Sequence, residues 1–440
     1  MITLSRAAAD GFPALRAAAG CIRRHLALLP RYQRLHRYFA GQNDLILQKP
    51  GAAVRLPHPI ARYIALLSSG YLTGRPIRLE APDQPRALQE LARALSLSAS
   101  DSVDSELSLN AAVYGKGVER VYVGPDGLPH TVSLSPEEAF VVYDDTVAHR
   151  PLFGVCLTQT LSEDGRPGPV RFEVLSDRES ALYEADTFEN AQGASLIRRE
   201  PHIFPGVPLV EYWNNFDETG DFEPVLPLID GYDALQSARL EDKERFVDSL
   251  LVLTGCQLRQ TWHTRQVIGP DGSVSQEQVP DENPVSLLRR DRLLSLPDSG
   301  ASAQYLSHTF HEADTEVLRA SLREDIHRLS LVPDLSDQSF SQNLSGVAMR
   351  YKLMGLEQLT AIKERWFREA FRERLRLFSA GLQALGRPAP DPETVRILFT
   401  RSLPQDEEEA ARVVSLLKDV LPREALYAYL PREPAQGGPA

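Results

Sequence analysis

Between residues 118 and 212 apolar and polar side chains alternate, whereas the flanking segments repeat every three to four residues. This change of period constrains the fold more than any other feature of the chain. ERVYVG, HTVSLS, AFVVYDD, FGVCLTQT, RFEVLS and LVEYW read as short strands, separated by turns such as Pro125-Asp126-Gly127 and Glu163-Asp164-Gly165. They form a β-rich, antiparallel block. Before it, residues 5–29 and 31–40 read as helical, and Asn43-Asp44 and Lys49-Pro50-Gly51 break the pattern. Residues 57–72 set Ile60, Ile64 and Leu67 at helical spacing up to Thr73-Gly74, and 84–114 read as helix again.

After Asn214-Asn215 a helix is expected over 225–253, about 40 Å long at 1.5 Å per residue, and ended by Gly255. Residues 256–308 are short-stranded, with Gly269-Pro270-Asp271-Gly272 as a hairpin signal. A second helix over 310–331 carries Leu318, Leu322, Ile326 and Leu329 in one stripe and stops at Val332-Pro333. A polar stretch, 334–344, leads to a long helix over 345–381. Ser345 is its candidate N-cap and Gly355 a candidate bend. Leu353, Leu356, Ile362, Trp366, Ala370 and Phe378 are expected to face inward. Residues 395–400 read as a strand, 405–421 and 424–430 as helices, and the Pro/Gly-rich end as disordered. The fold class is α+β.

Composition narrows the function. The 440-residue chain is 42% hydrophobic and 25% charged, which suits ordinary globular domains. No run reaches the roughly 18 apolar residues of a membrane span, so no membrane partner is expected. Ala7–Pro30 reads as an amphipathic helix rather than a signal peptide. Cys21, Cys156 and Cys256 are too scattered for a zinc site or disulfide framework and read as buried thiols in a reducing cytoplasm. The net charge of -12 has the wrong sign for gripping DNA. It is compatible with a protein past which DNA slides.

No phosphate loop, dinucleotide fingerprint, HExxH or GxSxG motif is present, and no catalytic residue, metal or cofactor is assigned. Gly115-Lys116-Gly117 is too short to cradle phosphates and reads as a helix-to-strand turn. His308, His311 and Glu312 are the compact His/Glu cluster, without a visible third ligand. They are read as solvated helix-start residues. Asp144 and Asp145 point to opposite faces if in a strand, and a turn is the preferred reading.

Five phrases, taken in order, carry a resemblance. They are RYQRLHRYFAGQNDLIL (31–47) with PHPIARYIALLSSGYLTGRPI (57–77), AAVYGKGVERVYVGPDG (111–127), EAFVVYDDTVAHRPLFGV (138–155), IFPGVPLVEYWNN (203–215) running into EPVLPLIDGYDALQS (223–237), and VPDLSDQSFSQNLSGVAMRYKLMGLE (332–357). The chain resembles the portal proteins of tailed bacteriophages, of the type found in siphovirus head-to-tail connectors. The resemblance implies a β-rich wing, a two-helix stem, a small clip, a long channel-to-wing helix and a short helical crown. On this sequence the parts are an N-terminal helical segment (1–30), wing (31–222), stem helix one (223–254), clip (255–308), stem helix two (309–332), tunnel loop (333–344), long helix (345–385), crown (386–432) and disordered tail (433–440).

The resemblance also implies a ring of twelve identical subunits at the capsid vertex, in the virion and, during assembly, in the host cytoplasm. DNA would be packaged and ejected through it without tight binding. Its expected partners are the terminase large subunit, a head-completion adaptor, and the major capsid and scaffolding proteins. Asp334, Asp337, Gln338, Ser339, Phe340, Ser341, Gln342 and Asn343 would face DNA, on a loop without Lys or Arg. Phe340 would brush the duplex or plug into a neighbouring subunit. Arg319, Arg323 and Arg328 on stem helix two would face DNA or pair with acids of the next subunit. Two other readings stand beside this one: a soluble hydrolase with a convergent site near His308, His311 and Glu312, and a minor head or scaffold protein without a channel.

Overall fold

The computed structural model describes residues 1–6, 13–44, 55–162, 164–247, 250–254, 262–268, 274–280, 302–306, 312–336, 346–402, 412 and 414–418. It separates into a larger unit (Met1–Pro50, Pro57–Asp233, Ala320–Ala440) and a smaller one (Gly51–Leu56, Ala234–Arg319).

The larger unit opens with strand β1 (Ile2–Leu4), followed by helices α1 (Leu15–Leu26), α2 (Leu29–Phe39) and α3 (Ile60–Thr73), strand β2 (Arg78–Glu80), and helices α4 (Pro85–Leu97) and α5 (Ser100–Tyr114). Strands β3 (Lys116–Val123), β4 (Pro129–Leu134), β5 (Ala139–Asp144), β6 (Pro151–Leu161), β7 (Pro167–Leu175), β8 (Glu179–Ala185), β9 (Ser195–Pro201) and β10 (Leu209–Trp213) are the alternating block read from the sequence. They divide into a six-stranded sheet, β1-β5-β6-β7-β8-β9, and a three-stranded sheet, β10-β3-β4. All pairings are antiparallel except that of β1, which lies parallel to β5 with Ile2 opposite Val142. The first residues are therefore a strand, not part of a helical segment. Their alternation is too short to read in isolation.

Helix α6 (Leu226–Val247) passes into the smaller unit after Asp233. There β11 (Leu250–Thr254), the hairpin β12 (Trp262–Ile268) with β13 (Val274–Pro280), and β14 (Ser302–Leu306) follow. Helix α7 (Glu312–Ser330) returns to the larger unit after Arg319. Helices α8 (Gly346–Lys352) and α9 (Met354–Ala384) and strand β15 (Arg396–Leu398) complete the described fold. Helix α6 is thus shorter than the 225–253 expected. Leu250–Thr254 pairs antiparallel with Ser302–Leu306 instead, and a short apolar run carries no period that separates strand from helix. The hairpin expected around residues 269–272 is present, with Ile268 opposite Val274.

Two further helices differ from the reading. The expected helix 84–114 is two, because Ala99 takes a left-handed φ of 52° between α4 and α5. The long helix breaks at Leu353 rather than bending at Gly355. Gly355 serves close approach: a Cβ there would lie 3.3 Å from the Leu331 carbonyl oxygen. Strand β15 pairs with β2, and Val395 and Ile397 lie in the same apolar core as Leu91, Leu107, Phe371 and Phe378. This stretch belongs to that core and does not stand apart as the start of a crown.

Helix α9 runs through that core with charge on its buried stripe. Ile362, expected inward, is 49% exposed, while Lys363, Phe367, Phe371 and Arg374 face in. The Lys363 ammonium lies 2.5 Å from Asp221 and donates to Ser68. The fully buried Arg374 guanidinium lies 2.5 Å from both Asp104 on α5 and Glu119 on β3. Thr131 and the Tyr212 hydroxyl (2.6 Å) also donate to Glu119. Burial pushes the Asp104 carboxyl up to about 6; the Arg374 charge pulls it down and Glu119 pushes it up again. Removing one partner of such a buried set leaves uncompensated charge. Arg374→Met is expected to lose about 3–5 kcal/mol of unfolding free energy in urea titrations, by that logic; a loss under about 1 kcal/mol would show that the set carries no stability.

A second buried titratable group ties α1 to the six-stranded sheet. His25 stacks on Phe140 at 4.4 Å, and its Nε2–H donates to the Glu137 carbonyl at 3.0 Å, leaving Nδ1 bare and, among the described residues, without a partner. Burial pushes the imidazole down to about 4, against the opposing hydrogen bond. The unfolded chain takes up this proton near 6.5 and the folded chain does not. Stability therefore falls as the pH drops from about 6.5 towards 4, by on the order of 3 kcal/mol. His25→Phe should flatten that part of the stability-against-pH curve, and an unchanged slope would argue against this assignment.

Candidate functional site at the root of the polar loop

The polar stretch after α7 starts from a turn with left-handed backbone. Leu331 adopts a φ of 60°, a conformation that costs an L-residue about 1–2 kcal/mol. It is held because Ile326 and Val332 on either side are fully buried among residues of α3, α6 and α9.

Three side chains then fix residues 332–336. The His327 Nδ1–H donates to the Val332 carbonyl at 2.9 Å. Tyr63 on α3 uses one hydroxyl twice: it donates to the Pro333 carbonyl (2.8 Å) and accepts from the Leu335 amide (2.9 Å). The same ring meets His327 edge-on at 5.7 Å. Asp334 pairs with Arg323, lies 3.7 Å from His327 Nε2, and accepts from the Ser336 amide (3.0 Å) and hydroxyl (2.7 Å). Partial burial pushes the Asp334 carboxyl up. The Ser336 hydrogen bonds and the His327 and Arg323 charges outweigh it and hold the group below the ordinary carboxylate range.

The residues singled out from sequence separate accordingly. Arg323 and Asp334, expected to act on DNA or on other subunits, are brought together here within one chain. Arg319 sits in the smaller unit against Glu316, with 3.0 Å between its Nε and each carboxylate oxygen. Glu316 also accepts from Arg239 of α6 at 3.1 Å, joining α6 to α7. Arg328 is exposed. Asp337, Gln338, Ser339, Phe340, Ser341, Gln342 and Asn343 lie outside the described residues, as do His308 and His311; of Glu312 only the backbone, at the start of α7, is described. Among the described residues no group of His, Cys, Asp and Glu has the arrangement of a metal site, and Asp144 closes the expected turn by accepting from Thr146 and the Arg150 amide. Tyr63 escaped notice because its role is purely to meet backbone from 270 residues away.

A family model described as "Phage portal protein, SPP1 Gp6-like" matches residues 19–434. The chain belongs to this family of phage portal proteins. No curated protein matches it. Among solved structures, a chain of the "Virion of native gene transfer agent (GTA) particle" is similar at 12% identity and a TM-score of 0.44, over 91% of this chain and 93% of that one. As a phage portal protein the chain is a component of the virion and assembles into an oligomer at the capsid vertex. In this portal chain one phenol holds backbone on both sides of Asp334. Tyr63→Phe keeps the ring contact with His327 and removes both backbone hydrogen bonds. Amide exchange at Leu335 is expected to rise about tenfold, the equivalent of one hydrogen bond of about 1–1.5 kcal/mol; unchanged protection would show that the root is held by other means.

Proposed function

We propose that residues 31–222 act as the wing, α6 and α7 as the stem, the β-stranded part of the smaller unit as the clip, and the segment from Pro333 to Leu344 as the tunnel loop. The twelve-subunit ring they build passes double-stranded DNA during packaging and ejection. The clip docks first the terminase large subunit and then the head-completion adaptor; the wing meets the major capsid and scaffolding proteins. Assembly takes place in the host cytoplasm, and the protein is structural, with ATP hydrolysis left to the terminase.

The observation that carries this reading is the order of parts along a chain matched by the family over residues 19–434. Two helices bracket a β-stranded unit, and the second delivers a lysine- and arginine-free loop from a fixed root. A net charge of -12 per subunit suits a bore that does not hold phosphate, since retention on DNA comes from cations that release counterions. The pairing of Asp334 with Arg323 refines this: the root carries a compensated charge, and the loop beyond it contributes Asp337, amides, hydroxyls and Phe340.

Negative-stain images of the purified protein should show rings with a central hole. Deleting residues 337–343 should leave those rings intact and reduce DNA packaging or retention by at least tenfold. Normal DNA filling with the deletion would remove the loop from the mechanism, and compact monomers under every assembly condition would remove the channel.

A further inference from the structure

Helix α1 is attached to the fold by less than its neighbours are. Its buried residues are Ala18, Ala19, Cys21, Ile22 and His25, so Ile22 is the one large aliphatic side chain fully enclosed. Leu15 and Leu26 are partly buried at its ends. These apolar residues all lie in the cluster on the six-stranded sheet, with Phe140, Phe153 and Phe172. Leu28 and Leu29 pack into a different cluster, which also holds Tyr32, Leu35 and Tyr38 of α2. The border between two cores therefore falls at Ala27-Leu28, the joint between α1 and α2. Helix α2 is held further by the Arg31–Glu223 ion pair at 2.6 Å. The side chains of α1 form no ion pair among the described residues; they donate only to two carbonyls, Arg24 to Thr3 (2.7 Å) and His25 to Glu137.

His25 is the polar residue buried in this contact. Its ring lies between Phe140 of β5 and, at 6.2 Å, Tyr32 of α2. The charges that act on it are Lys116 of β3 and Glu211 of β10, themselves paired at 2.8 Å. Lys116 opposes a charge on the imidazole and Glu211 favours one, so the pair supplies no dedicated counterion. Glu137 gives its main-chain carbonyl to Nε2, and its carboxylate accepts from the Tyr114 hydroxyl at 3.3 Å. An imidazolium donates from both nitrogens, yet Nδ1 meets no acceptor among the described residues. A proton taken up here is a buried charge with an unmet donor. In water the same ring meets neither penalty.

We propose that α1 is a strap released by protonation of His25. On proton uptake the helix leaves the six-stranded sheet, turning at Ala27-Leu28, while the rest of the larger unit stays folded. Release of this one helix hydrates the imidazolium and gives up mainly small side chains, whereas unfolding the unit would also break the buried sets around Lys363 and Arg374. Local opening is therefore the less costly response to acid. It uncovers the sheet face that carries Phe140, Phe153 and Phe172. The loss of stability at low pH is then placed in one element. The proposal rests on the packing of α1 and not on the ring or the path of DNA.

Two native thiols report local and global opening separately. Cys21 lies one turn before His25 on α1, and Cys156 lies on β6 in another apolar cluster; both are free and buried. In full-length protein carrying Cys256→Ser, each thiol is reacted with dithiodipyridine, and its rate is divided by that of a short cysteine peptide at the same pH. The normalised rate at Cys21 should rise about thirtyfold from pH 7.5 to pH 5, the ratio for a ring that binds its proton near 6.5 when released and at about 4 when packed. Cys156 should stay protected over that range. His25→Phe should abolish the rise, and His25→Gln, which keeps a donor for the Glu137 carbonyl and takes up no proton, should do the same if the phenylalanine variant does not fold. Equal opening of Cys21 and Cys156 would mean global unfolding, and a flat Cys21 rate would mean no release. Either result, or a rise that survives the loss of the imidazole, overturns the proposal.

Discussion

The larger unit depends on the placing of two cations inside its core. Lys363 and Arg374 lie about three turns apart on α9, and each is buried against acids from other elements: Asp221 before α6, and Asp104 and Glu119 on α5 and β3. Apolar side chains on that face, such as Phe367 and Phe371, would tolerate small slips of the helix. Two buried cations would not, since either one out of place becomes an unpaired charge in a dry core. The pairs therefore fix both the rotation and the axial position of α9. That position seats Leu353, Leu356 and Gly355 against the turn at Leu331, from which the polar loop departs.

The loop root inherits its precision from this arrangement. A leucine with left-handed backbone, a phenol bonded to backbone on both sides of Asp334, and a histidine bonded to the Val332 carbonyl form a short chain of constraints. All the side chains involved come from α3 and α7, which share one apolar cluster with α9. The root is stiff for the same reason that the long helix is in register. The proposed tunnel loop would start from this fixed origin.

The strand block was legible because its alternation runs for nearly a hundred residues, and the hairpin of the smaller unit because Gly269-Pro270-Asp271-Gly272 is a strong turn signal. Helix ends were less so. Leu250–Thr254 is apolar throughout, and its strand state is decided by a partner fifty residues on. The inward face of α9 was misjudged at Ile362 because hydrophobicity was the only guide. Lys363 and Arg374 look like solvent-facing residues until their acids, far away in sequence, are seen beside them. The Arg323–Asp334 pair was missed for a related reason. Each residue was considered against DNA or another subunit, and eleven residues of separation across a helix end conceal that they meet within the chain.

These internal pairings change how the negative charge should be understood. In the larger unit the buried cations Lys116, Lys363 and Arg374 are each held by one or more carboxylates. Arg120, Arg31 and Arg401 are likewise paired at half-buried positions. Cations committed in this way are not available to phosphate, and the carboxylates in excess are left at the surface. The buried sets hold three cations against four carboxylates, so nearly the whole charge of -12 remains outside them. In the proposed channel, a scarcity of cations facing the duplex would matter more than the presence of acids. Screening at physiological salt shortens repulsion to about 8 Å, whereas one mobile lysine or arginine at the bore would bind phosphate directly.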